Sequence, residues 1–162
     1  MTEAGRPIVI LGIGNILMQD EGLGVHAVRA LLERALPPGV EVVDGGTLGI
    51  ELLPIVEHAD SLILIDAARF SGEPGEVRAF RGDELAGSYG GHVSPHQAGA
   101  ADLIAVARLT GSLPERCTLF GIQPVAMGFG LELSDTLTSA LPSLVEAVLS
   151  EALAFAEVPA HA

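Results

Sequence analysis

PIVILGIGNILMQDEGLGVHAVRALLERAL, residues 7–36, holds two periods end to end. Pro7 to Leu11 is an unbroken apolar run that stops at a glycine. A strand apolar on successive residues must be covered on both faces, as parallel strands between helix layers are. From Gly22 to Leu36 the period becomes helical. Val25, Val28, Leu32 and Leu36 are spaced to share one face, and Pro37-Pro38 stops the helix.

The pattern repeats outward from there. Val40 to Val43 is a second strand closing on Asp44-Gly45-Gly46, and Ile50 to His58 a short helix bent near Pro54. Ser61 to Ala67, SLILIDA, is a third buried strand. Gly72 to Gly75 is a turn, after which Glu76 to Arg81 alternates charged and apolar residues. That is the pattern of an edge strand, here expected to be antiparallel. Asp83 to Val93 is glycine-rich and aperiodic, hence loop. In Ser94-Pro95-His96-Gln97 a capping serine, a proline at the first helical position and a glutamine three residues on predict a helix reaching about Thr110. Cys117 to Gln123 is a fifth strand and Pro124 to Leu133 a loop. Ser134 opens a terminal helical segment to about Glu157, expected to break or kink at Pro142. Strands alternating with helices predict an α/β protein. The expected architecture is one domain over residues 1–162, a three-layer α/β/α sandwich around a five-stranded, mostly parallel twisted sheet.

Composition narrows the function. The chain is 49% hydrophobic but only 4% aromatic, so its core is aliphatic. A net charge of −13 opposes binding to nucleic acid or to an anionic membrane. One cysteine, Cys117, excludes an intramolecular disulfide and agrees with a reducing compartment. Met1 to Pro7 lacks the apolar run of a secretory signal, and no apolar stretch is expected to reach the roughly 20 residues of a membrane span. These features predict a cytoplasmic protein with neither membrane nor nucleic-acid partner, and by default a monomer.

In a doubly wound sheet, ligands gather beyond the carboxyl ends of the strands. Glu21 follows the first strand, Asp66 closes the third, and His96 opens a helix. Two carboxylates and an imidazole suit a divalent transition metal with positions left open. A helix start disfavours imidazolium and so favours the neutral ring that binds metal. Each residue also has a plainer role, as dipole partner, turn cap or incidental surface group, and composition alone leaves the choice open. His92 is the alternative imidazole. Gly12-Ile13-Gly14-Asn15 has the look of a dinucleotide loop, but Leu17 replaces the third glycine and Asp20-Glu21 would repel a pyrophosphate. Cys117 lies in an apolar strand and reads as a buried thiol. There is no G-x-S-x-G and no H-E-x-x-H.

Gly12 to Val25 (GIGNILMQDEGLGV) resembles the opening motif of the hydrogenase maturation proteases. Asp44-Gly45-Gly46-Thr47, Ile65-Asp66-Ala67, Ser94-Pro95-His96-Gln97 and Gly121-Ile122-Gln123-Pro124 resemble that family's later blocks, in its order. The resemblance spans roughly Ile8 to Leu149. It implies an endopeptidase that removes the C-terminal extension of a nickel–iron hydrogenase large-subunit precursor once nickel is inserted. It also implies Glu21, Asp66 and His96 as the metal-binding and catalytic residues, with the nickel ion supplied by the precursor and no organic cofactor. Asp66, on the most apolar strand, is the expected general base. Residues 83–92 match no block, residues 127–132 lie where the family's subgroups vary, and both are open to contact with the substrate.

Overall fold

A computed structural model describes residues 5–86 and 99–158. Its strands are β1 (Ile8–Ile13), β2 (Val40–Gly46), β3 (Ser61–Ala67), β4 (Val77–Arg81) and β5 (Arg116–Ile122). Its helices are α1 (Leu23–Leu32), α2 (Leu53–His58), α3 (Ala100–Leu109) and α4 (Asp135–Glu157). One sheet runs in the order β2-β1-β3-β5-β4, parallel except for β4, which pairs antiparallel with β5 at the edge.

Strand alternation divides the core between two faces. Val9, Leu11, Leu62, Leu64 and Leu119 face α2 and α3. Ile10, Ile63, Ile65, Phe120 and Ile122 face α1 and α4. The three-layer sandwich expected from the sequence is therefore present. Each fully buried aliphatic side chain contributes about 1.5–3 kcal/mol of transfer free energy.

Four expectations need correction. Leu32 is 61% exposed, whereas Leu31 is fully buried beside Ala27 and Val28, and α1 ends before Leu36. The reason is Gly24. A Cβ there would lie 2.2 Å from the Ile13 carbonyl oxygen and 2.5 Å from that of Ile65, so the helix rests on the strand ends through Gly24. The contact line then runs through residues 24, 27, 28 and 31, at helical spacing. Second, α3 does not extend back continuously to Ser94. Gly99 is extended, at φ −91° and ψ −168°, and the helix starts at Ala100. Ser94 to Gln97 lie outside the described residues. Third, α4 is unbroken at Pro142. Fourth, α4 is long and apolar enough to cross a membrane by length and composition. In the fold it lies in the outer layer with one face against the sheet, burying Leu137, Leu144, Val145, Val148 and Ala152.

The other elements fall close to expectation. Pro54 sits in the first turn of α2, after a 3₁₀ turn over Gly49–Leu52 that supplies the expected bend. Residues 83–86 belong to a 3₁₀ turn, Gly82–Ala86. Ser134 caps α4, its hydroxyl accepting from the Leu137 amide at 3.3 Å.

Candidate active site

The chain leaves β1 for β2 on one side and returns to β3 on the other, so the topological switch point lies between β1 and β3. A crevice opens at such a point. Glu21 lies just past β1, in a 3₁₀ turn over Gln19–Gly22, and Asp66 is the penultimate residue of β3. Glycines bring the opening loop down onto this rim. A Cβ on Gly14 would meet the Glu21 carbonyl oxygen at 2.0 Å, and one on Gly12 the Gly24 carbonyl oxygen at 2.2 Å. The first two glycines of the loop thus serve close backbone packing, which accounts for them without a phosphate.

Asp66 Oδ2 accepts a hydrogen bond from the amide of Ala100, the first residue of α3, at 3.0 Å. A Cβ on Gly99 would stand 3.1 Å from the same oxygen. Burial pushes the Asp66 carboxyl up to about 7, against the pull of the Ala100 and Ala67 amides, and the Glu21 charge adds to the rise. Burial also raises Glu21, and the nearby Arg69 guanidinium offsets part of that. The two carboxylates therefore sense each other across the rim. Glu21 has the smaller accessible surface, 7%, yet protein surrounds the Asp66 carboxyl more deeply, while leaving the residue partly accessible. The cost of charging follows depth within the protein more than the last few Å² of contact with water, so Asp66 takes the larger rise.

Glu21 Oε2 is buried without a hydrogen-bond partner. A buried carboxylate oxygen left unpaired costs roughly 1–3 kcal/mol, more when charged. Such an atom marks a place where a ligand is missing or a proton is held. A carboxylate oxygen is a suitable donor to a divalent transition metal. Among the described residues no group of three His, Cys, Asp or Glu side chains could hold a metal ion. His96 and His92 lie outside the described residues, so the structure brings Glu21 and Asp66 to one rim and leaves the third position open.

Asp20 was not singled out by sequence, yet it organises this end of the molecule. It is fully buried. Its Oδ2 accepts from the Val125 amide at 2.9 Å, the Ala126 amide at 2.8 Å and the Ser134 hydroxyl at 2.9 Å. Its Oδ1 accepts from the Ser134 amide at 2.8 Å. Of the two adjacent acids, one faces inward to hold the 124–134 loop while its neighbour stays at the rim. Gln123 has a similar role, its side-chain carbonyl accepting from the Phe70 amide at 2.9 Å. Cys117 is 5% exposed on β5, and burial pushes its thiol up to about 12, which keeps it protonated and poorly nucleophilic.

The profile of the hydrogenase maturation proteases matches residues 25–151. The chain belongs to the hydrogenase maturation protease family. It is 40% identical over 145 residues to the hydrogenase 2 maturation protease of Escherichia coli K12, covering 88% of each chain. It is 40% identical over 148 residues to the hydrogenase expression/formation protein HupD of Rhodobacter capsulatus, covering 90% of this chain and 69% of that one. Among solved structures, the hydrogenase maturating endopeptidase HybD from E. coli superimposes with a TM-score of 0.80 at 38% identity, with 93% of both chains covered. The [NiFe] hydrogenase maturation protease HycI from Thermococcus kodakarensis KOD1 gives 0.72 at 26% identity, covering 91% of this chain and 93% of that one. This maturation protease is therefore a peptidase. Its paired carboxylates are available to activate water or hold a metal, and its thiol is not placed for attack.

Proposed function

We propose that this protease removes the C-terminal extension of a nickel–iron hydrogenase large-subunit precursor after nickel insertion, and that it reads the inserted nickel through Glu21, Asp66 and His96. The observation that carries this is the buried, unpartnered Glu21 Oε2 beside a carboxyl held near neutrality. Two such groups at a switch point are an incomplete coordination shell, which suits a metal shared with a second molecule. His96 stands three residues before Gly99 in sequence, and Gly99 lies against Asp66.

Amide hydrolysis needs an activated water and a stabilised oxyanion. Nickel carried in by the precursor would fix the tail in register and polarise the carbonyl to be attacked. Asp66 is the assigned general base. A carboxyl near 7 is a stronger base than an ordinary aspartate and is still substantially ionised at neutral pH. Glu21 and His96 hold the metal and orient the tail. A single, buried cysteine and a net charge of −13 support action in the cytoplasm, as a monomer, without nucleic acid or membrane.

The test is incubation with a nickel-loaded large-subunit precursor, followed by intact mass. Loss of the tail is expected. Glu21→Gln, Asp66→Asn and His96→Asn should each slow it by at least about a hundredfold, the scale of a lost catalytic group. An intact precursor that nevertheless surrenders or gains nickel would replace the protease with a metal carrier.

A further inference from the structure

The loop over residues 123–134 is displayed on the rim in a way that folding alone does not call for. From Gly121 to Leu131 no residue is charged, in a chain of net charge −13. Phe129 is 91% exposed, Leu131 64% and Val125 52%, and Leu17 of the opening loop is 56% exposed close by. Buried core positions gain from apolar side chains, but these four expose theirs to water.

The loop that carries them is held firmly. Beneath it are the four hydrogen bonds to Asp20 already described. Gln19 adopts φ +50°, and its side-chain carbonyl accepts from the Gly128 amide at 3.0 Å. The Gln19 amide donates to Gly130, and the Gly130 amide to Leu17, both at 2.9 Å. A non-glycine residue in the left-handed region is strained, so the clamp is held at some expense.

Both flanks of this loop connect through the backbone to the candidate active site. Gly121, where the uncharged run begins, is the register partner of Asp66. Gln19 and Asp20, which clamp the loop, immediately precede Glu21. An exposed apolar surface held by hydrogen bonds to Gln19 and Asp20, the residues just before Glu21, is placed for the chain that is cut. A loop without charges exerts no long-range electrostatic pull, so short-range apolar contact must supply its grip. We infer that Phe129, with Leu17 and Leu131, is the specificity-determining contact of this enzyme, receiving an apolar segment of the hydrogenase precursor next to the bond cleaved. This rests on the function proposed above.

The experiment compares wild type, Phe129→Ser and Phe129→Leu on nickel-loaded precursor, with binding measured separately by calorimetry and thermal melting as a control on folding. Phe129→Ser should raise KM and the dissociation constant by about tenfold or more, as expected for an aromatic anchor. Its kcat should stay within about threefold and its melting temperature should be unchanged. Phe129→Leu should recover most of the loss. Equal affinity and equal kcat/KM for wild type and Phe129→Ser would overturn the inference. So would a wild-type dimer in sedimentation that Phe129→Ser dissolves, because a second copy would then own the surface. Precursor bound through Phe129 but never cleaved would sink the protease function and leave this contact standing.

Discussion

At the scale of single residues, the site is two adjacent acids with opposite duties and a third across the rim. Asp66 stores a cost that can be measured. Its folded pKa, about 7, lies above its unfolded value, so its contribution to stability is complete below pH 4 and is lost as pH rises toward 7. Asp66→Asn should therefore match wild type in melting temperature near pH 4 and exceed it at pH 8, while losing activity. Equal melting temperatures at pH 8 would show that the Asp66 charge is not held at a cost. Asp20→Asn should do the reverse of helping. It places an amide among donors that need an acceptor, and should cost about 3 kcal/mol in urea unfolding, as for a buried hydrogen-bonded charge that loses its partners. Asp66 and Glu21 stood out in sequence as carboxylates following apolar strands, though composition alone left plainer roles open, and the structure places both at the carboxyl ends of the sheet. Asp20 did not stand out, since its partners lie more than a hundred residues away.

At the scale of elements, the strands were readable from apolar runs and, for β4, from alternation, whereas their order in the sheet came from the structure. The face of α1 was not readable. The eye follows large apolar residues, and the contact line is set by Gly24, which has no side chain to notice. The start of α3 differed from expectation for a related reason. Its first amide is capped by Asp66, 34 residues away on β3, and not by a neighbour in sequence. The fixing of α4 is also a long-range matter. Glu151 accepts from the buried Thr118 hydroxyl at 2.8 Å and pairs with Arg81 at 2.6 Å, joining α4 to β5 and β4. Burial alone would raise the Glu151 carboxyl, but the Arg81 and Thr118 bonds outweigh it and hold the group low. A depressed carboxyl stabilises above its unfolded pKa and loses that stability as pH falls through the folded value. Glu151→Gln should therefore cost about 1–2 kcal/mol at pH 7 and little at pH 3, read from urea midpoints. Cys117→Ala should cost a similar 1–2 kcal/mol and leave cleavage unchanged. Loss of cleavage at unchanged stability would restore a role for the thiol.

At the scale of the whole molecule, two helix layers cover an aliphatic sheet, and function gathers at the carboxyl ends of its central strands. Those ends carry the switch point, the carboxylates and the apolar loop. The arrangement suits a protein that acts on another protein and completes its coordination site only when the partner arrives. On the function proposed, the metal is read in the substrate. The most direct measurement gives unaltered enzyme equal amounts of nickel-loaded and nickel-free precursor and follows the tail by intact mass. The loaded precursor should lose its tail and the nickel-free one should keep it, even with the tail exposed. Comparable cleavage of both would contradict the account.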